Sequence, residues 1–146
     1  MRYKPLLGSL VMSVLILTFI CSCSKTNENA EDLINKAKLL WDGKKYTNPK
    51  KAIEYLNNAI KLQPNNAETY FKRGAAHVNL GQYQQAFEDF NKAIGLKQDY
   101  AYAYNNRGII YLMRGNKELG CRDAQKACEL GICKALEKAK NGGYCR

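Results

Sequence analysis

Tyr70-Phe71-Lys72-Arg73-Gly74 and Tyr104-Asn105-Asn106-Arg107-Gly108 stand 34 residues apart and carry tyrosine, arginine and glycine at the same places. The correspondence extends in both directions. Ala52, Ala86 and Gly120 are 34 apart, as are Ala59, Ala93 and Ala127, and Leu62, Leu96 and Leu130. Ile60 and Ile94 repeat with Cys128 in third place, Gly81 recurs as Gly115, and Ala67 as Ala101. A fixed period of this length marks a repeat architecture, in which a unit buries its apolar face only by stacking on its neighbour.

The repeated residues have a helical reading. Small side chains at Gly74, Ala86, Ala93, Gly108, Gly120 and Ala127 let two helices approach closely, and Tyr70, Phe87, Phe90, Tyr104 and Leu112 fill the space between them. Gly81 and Gly115 fall where a left-handed residue ends the first helix of a unit. Asn48-Pro49 reads as an N-cap followed by proline at the first helical position, and Pro64-Asn65-Asn66 breaks the chain before the next helix. The pattern predicts helices near 30–42, 49–62, 67–80, 83–96, 101–114, 117–130 and 133–141.

These units resemble tetratricopeptide repeats: an aromatic residue, glycine four positions on, glycine before the turn, then alanine, an aromatic and alanine. Residues 67–100 and 101–134 carry the pattern at 34 residues each. Residues 30–66 carry it more weakly, with Leu33, Ala37 and Leu40 on the first helix, Ala52, Leu56, Ala59 and Pro64 on the second, and about three extra residues around Lys44 to Asn48. Gln98 stands where the pattern favours proline, and Gly120 where it favours alanine. The resemblance implies an all-α, right-handed superhelical stack of about three hairpins. It also implies a concave groove, lined by the first helix of each unit, that binds an extended peptide or a partner helix. By position in the pattern, Phe71, Lys72, Ala75, Val78 and Asn79 face that groove, as do Tyr102, Asn105, Asn106, Ile109 and Met113 in the next unit. Asn105 and Asn106 suit a peptide's backbone amides, and Phe71, Tyr102 and Ile109 suit apolar side chains. Each has a competing structural reading: an inter-repeat hydrogen bond for Asn106, packing between hairpins for Phe71 and Tyr102, and plain solvation for Lys72.

The N-terminal part, residues 1–22, is of another kind. Arg2 and Lys4 precede a largely apolar stretch from Leu6 to Ile20, which has the length of a signal-peptide core rather than of a membrane span. It ends in Ile20-Cys21-Ser22-Cys23, which resembles the lipobox of bacterial lipoproteins. That resemblance implies cleavage before Cys23, acylation of Cys23, and residues 23–29 as a lipidated tether; an ordinary secretory signal is the alternative. By the same resemblance, Ser24 after Cys23 implies the outer membrane in a two-membrane cell, facing the periplasm, over the inner membrane or the cell surface. The formal charge of the chain is +10. Loss of Arg2 and Lys4 leaves 21 basic against 13 acidic residues, a net +8, scattered without a run of five. For an exported chain this points to anionic lipid, cell-wall polymer or an acidic protein face, and not to nucleic acid.

Export also governs the cysteines. With Cys23 lipidated, Cys121, Cys128, Cys133 and Cys145 remain, and an oxidising compartment favours two disulfides over a zinc site. Ala135, Leu136 and Ala139 give residues 135–146 a small apolar stripe, suited to a capping helix that covers the last hairpin. A turn at Gly131-Ile132 folds that helix back, and Gly142-Gly143 ends it. Cys121 with Cys128 is unsuitable, because seven helical residues separate their α-carbons by ~10 Å, against a limit of ~7 Å for a bridge. The hairpin favours the nested pairs Cys128–Cys133 and Cys121–Cys145 over the crossed ones. The stretch Lys126-Ala127-Cys128-Glu129-Leu130-Gly131 is similar to the cysteine-bearing helix ends of Sel1-like repeats.

Little in the sequence suggests catalysis. Serine occurs at positions 9, 13, 22 and 24 and nowhere within the repeats. The single histidine, His77, cannot build a multi-histidine metal site, and glycine-rich phosphate loops are absent. Glu88 and Asp89 are adjacent on a helix, point in different directions, and are expected to be solvated. No cofactor is implied. The expected function is that of a non-enzymatic adaptor or assembly scaffold in the cell envelope, holding a protein or peptide partner. An exported cysteine-rich repeat hydrolase, a cell-wall-binding protein and a self-associating homo-oligomer are the competing readings.

Overall fold

The computed structural model describes residues 28–145; the leader, Cys23 and most of the tether lie outside the described residues. Among those residues seven helices follow one another: α1 (Ala30–Leu39), α2 (Pro49–Leu62), α3 (Ala67–Asn79), α4 (Tyr83–Leu96), α5 (Ala101–Met113), α6 (Lys117–Glu129) and α7 (Lys134–Asn141). Each helix packs on the next, and α5 also touches α7. The result is an all-α stack of the pairs α1/α2, α3/α4 and α5/α6, closed by α7.

Local chemistry sets the helix ends. Asn29, Asn48, Asn66 and Asn116 each accept a backbone N–H three residues on, at 2.9–3.2 Å, which satisfies donors that a helix start leaves unpaired. Pro49 follows Asn48 at the first helical position. At the other ends, Gly81 and Gly115 take φ of 70° and 79°. The reversed chain then returns the N–H of Gln82 to the His77 carbonyl and that of Asn116 to the Tyr111 carbonyl, both at 2.9 Å.

Helix α1 stops at Leu39, three residues short of the expected Asp42. The extra residues of the first unit form a tight loop instead. Asp42 accepts the N–H groups of Lys44 and Lys45 at 2.9 and 2.8 Å, and Gly43 turns the chain at φ 94°. Trp41 and Tyr46 then meet in an antiparallel bridge, their rings edge to face with centroids 5.1 Å apart. An Asp-Gly turn competes well with helix continuation because the aspartate satisfies the freed donors.

Within α3/α4 and α5/α6 the small residues permit near contact of backbones. A Cβ added to Gly108 would sit 3.1 Å from the Gly120 carbonyl oxygen, and one added to Gly74 would sit 2.7 Å from the Phe90 ring. Phe90 is fully buried against Ala86 and Ile110, with Phe71 and Phe87 alongside. The first unit has its own core, in which Leu33, Ile34, Tyr46 and Leu56 pack on Ala37, Ala52 and Ala59.

The expectation for Asp89 was wrong. Asp89 is 4% exposed and Asp123 5%, and each is held by an arginine of the preceding helix. Arg73 donates through Nε and Nη2 to the Asp89 carboxylate at 2.9 and 2.5 Å, and through Nη1 to Asn57 at 2.7 Å. Arg107 does the same to Asp123, at 2.7 and 2.8 Å, and to Asn91, at 2.7 Å. Hydrogen bonding to Asp89 raises the Arg73 guanidinium above its ordinary value. Adjacent residues on a helix point about 100° apart, so Glu88 reaches solvent while Asp89 faces α3. Each clamp joins both helices of its unit to the second helix of the unit before it.

At the C-terminal end the disulfides are Cys121–Cys145 and Cys128–Cys133. Gly131, at φ 96°, reverses the chain into α7, whose Ala135 and Ala139 are buried. The longer disulfide fastens the tail beyond Gly143 to α6.

Candidate functional site: the concave groove

Three recesses join along one face of the stack. The first, of about 240 Å³, is lined by Trp41, Lys44, Ala75, Val78, Asn79, Tyr83, Asn106, Ile109, Ile110 and Met113. The second, of about 380 Å³, is lined by Lys38, Trp41, Tyr46, Phe71, Lys72, Ala75, Tyr102 and Asn106. Trp41, Ala75 and Asn106 belong to both. A third, of about 280 Å³, shares Ile109 and Met113 with the first and continues to Leu112, Ala135, Lys138, Ala139 and Tyr144 of the cap. The groove thus runs from α1 across α3 and α5 to α7.

Its walls are apolar and exposed. Tyr102 is 56% exposed, Met113 59% and Trp41 43%, with Val78 and Ile109 also open. Large apolar side chains left open side by side mark an interaction surface more than scattered ones do. The lining contains four lysines and no carboxylate. Lys72 and Lys38 reach Glu68, just outside the lining, at 3.2 and 3.5 Å. Partial burial pushes the Glu68 carboxyl up, but hydrogen bonding to Lys72 and the charges of both lysines outweigh this and hold it below its ordinary value. Lys44 and Lys138 have no carboxylate within ion-pair distance among the described residues.

Of the residues expected in the groove, Val78, Tyr102, Ile109 and Met113 line it and stay open to solvent, while Lys72 and Asn106 line it half-buried. Phe71 lines it too, but its ring is half-buried against Phe90, Tyr100 and Tyr102, with centroids 5.8, 5.0 and 6.1 Å away; it serves hairpin packing and groove wall at once. Two asparagines have structural duties. Asn79 accepts the N–H of Tyr46 at 3.0 Å and so anchors the α1–α2 loop. Asn105 accepts the N–H of Ala135 at 3.2 Å at the start of α7, and donates to Asn106 Oδ1 at 3.1 Å. Asn106 makes no side-chain bond to another repeat among the described residues, and it lines both of the first two recesses. His77 lies on the opposite side of α3, with Nδ1 2.7 Å from Gln82 Oε1 and Nε2 3.9 Å from Asp89.

Trp41, Lys44, Tyr83 and Tyr144 are groove residues that sequence reasoning missed. Trp41 and Lys44 come from the loop that interrupts the repeat, where no periodic position assigns them a direction. Tyr144 is placed by the Cys121–Cys145 bridge, with Lys117 Nζ 5.3 Å from its ring centre.

The fold and groove define an all-α stack of tetratricopeptide-type hairpins. A family model described as TPR repeat matches residues 50–81 and 77–115, so this stretch is similar to tetratricopeptide repeats. Among solved structures, a crystal structure of MamA protein is 29% identical, with a TM-score of 0.64, over 70% of this chain and 55% of that one; the chain spans little more than half of that relative. The Arabidopsis OM64 TPR domain is 27% identical, with a TM-score of 0.70, over 79% of this chain and 97% of that one. The first TPR of Spaghetti (RPAP3), bound to HSP90 peptide SRMEEVD, has a TM-score of 0.70 at 22% identity, covering 77% and 89%. No curated protein matches the chain.

Proposed function

We propose that the protein is a lipid-anchored adaptor of the bacterial cell envelope that holds a peptide segment or helix of a partner protein in its concave groove. The observation that carries this reading is the run of exposed apolar side chains formed by Val78, Tyr102, Ile109 and Met113 on the first-helix face with Trp41 of the α1–α2 loop beside them. Burying such a run removes apolar surface from water at roughly 25 cal/mol per Å², and a stacked scaffold can bind without rearranging. A solved structure of similar fold carries the HSP90 peptide SRMEEVD, which supports peptide binding as a use of this architecture. The leader ending in Ile20-Cys21-Ser22-Cys23 supports acylation at Cys23, and two disulfides support an oxidising compartment. Binding, not turnover, is the role.

Photo-cross-linking in intact cells tests this. A cross-linking residue at Tyr102 or Met113 is expected to capture a discrete partner that the same residue at Gln125, on the exposed side of α6, does not. Equal capture from all three positions, or none, overturns the groove reading. Intact-mass measurement of the mature chain tests the anchor: acylation at residue 23 is expected, and an unmodified residue 23 overturns it.

A further inference from the structure

The chemistry of the groove narrows its occupant. Trp41, on the α1–α2 loop, lines both of the first two recesses, as do Ala75 and Asn106. One recess is walled by Tyr102 and the other by Ile109 and Met113, so the surface has two separate places for a large apolar side chain. Between them stands Asn106. Its Oδ1 is taken by Asn105, which leaves Nδ2 to donate. A main-chain carbonyl in the middle of a helix is already paired within the helix, whereas an extended segment carries carbonyls that need donors.

Charge supplies the second constraint. The groove's charged lining is all lysine. Glu68 compensates Lys38 and Lys72 at one end, while Lys44 beside the first recess and Lys138 beside the cap are uncompensated among the described residues. A ligand with carboxylates next to its apolar side chains meets complementary potential; one with lysines or arginines meets repulsion.

We infer that the groove takes an extended acidic segment of a partner protein with two large apolar side chains, one in each of these recesses, and a main-chain carbonyl on Asn106. This rests on the adaptor reading and specifies its ligand. The loop that departs from the repeat period is therefore the part that sets specificity.

Selection of a displayed random-peptide library on the full chain tests the inference, with a direct optical check. Trp41 is the only tryptophan in the sequence, so its emission reports occupancy of the groove. Enriched peptides are expected to combine two large apolar residues with aspartate or glutamate, and synthetic copies are expected to shift Trp41 emission on titration. The double variant Lys44→Glu, Lys138→Glu is expected to weaken them roughly tenfold at low salt and less at high salt. Reversal of Lys126, outside the groove, is expected to leave them unchanged. Lys44 contributes only its backbone N–H to the turn, and circular dichroism confirms that the variants fold. Enriched peptides without acidic bias, or peptides that leave Trp41 emission unmoved, overturn the inference while the adaptor reading stands. No enrichment at all overturns both.

Discussion

The first hairpin and the two that follow it solve the same packing problem with different residues. Seven residues after the helix N-cap, α3 and α5 carry Arg73 and Arg107, while α1 carries Lys36. Seven residues after the next cap, α4 and α6 carry Asp89 and Asp123, while α2 carries Tyr55. Where the later units have a two-toothed arginine–carboxylate clamp, the first has a lysine 5.8 Å from the centre of a tyrosine ring. The position after the arginine follows suit: Gly74 and Gly108 in the later units, Ala37 in the first. An internal unit must be joined on both sides, and Arg73 and Arg107 reach back to Asn57 and Asn91 of the unit before. The first unit has no predecessor among the described residues and relies on an apolar core closed by Tyr46. Repetition here conserves geometry; the charged network appears where a neighbour must be gripped.

The largest expected effect comes from breaking a clamp. Arg107→Ala leaves Asp123 buried without a partner, which costs about 3 kcal/mol, whereas Lys36→Ala in the first unit removes an exposed ammonium and is expected to cost far less. Urea unfolding of both variants measures the difference, and equal losses would mean that the clamp is no more than surface pairing. Removal of Cys121 and Cys145 together is expected to cost about 3 kcal/mol by the loop-closure argument and to release Tyr144 from the end of the groove. Hydrogen exchange is expected to rise in α7 and remain unchanged in α1 and α2 if the effect stays at the stapled end.

Glycine and alanine sharpen the contrast further. Gly108→Ala puts a methyl 3.1–3.2 Å from the Gly120 oxygen, the Asp123 Cβ and the Ala124 nitrogen. The crowding, about 1–3 kcal/mol, exceeds the gain in helix propensity of about 1 kcal/mol, so a net loss in thermal stability is expected. The equivalent residue of the first unit is already Ala37, and Ala37→Gly is expected to destabilise through propensity and a small cavity. A gain is expected at Thr69, whose hydroxyl is buried without a partner among the described residues. Thr69→Val keeps the shape and removes that group, raising stability by about 1 kcal/mol; an unchanged melting temperature would show that the hydroxyl is satisfied in solution. The smallest effect is the alkaline pH dependence that the first unit contributes, alongside Tyr100, whose phenol burial also pushes up. Burial pushes the Tyr46 phenol up to about 12, so its contribution is intact below about pH 10, where the unfolded phenol ionises, and is lost as pH rises toward 12. Tyr46→Phe is expected to reduce this loss in alkaline unfolding curves, leaving the part due to Tyr100.

Much of this was legible from the chain alone, for reasons that differ by residue. The helices followed from asparagine caps, glycine stops and a strict period, all of which act locally. The groove positions on α3 and α5 followed from the resemblance to tetratricopeptide repeats, whose pattern assigns a face to each first-helix residue. The clamp was equally present, since Arg73, Asp89 and Asn57 recur 34 residues later as Arg107, Asp123 and Asn91. It was overlooked because a charged residue was read by its type and not by its face. Trp41 and Lys44 were not legible, because an irregular loop has no period to project from. Asn79 and Asn105 sat on the expected face, yet their partners, Tyr46 and Ala135, come from the loop and the cap, whose placement depends on tertiary structure.

Methyl-resolved NMR of the chain titrated with a display-selected peptide most directly tests whether the first-helix face is a binding groove. The largest shifts are expected at Ala75, Val78, Ile109 and Met113, with Leu62 and Leu96, outside the groove, unmoved. Shifts concentrated on Leu62 and Leu96, with the four groove methyls silent, would contradict it.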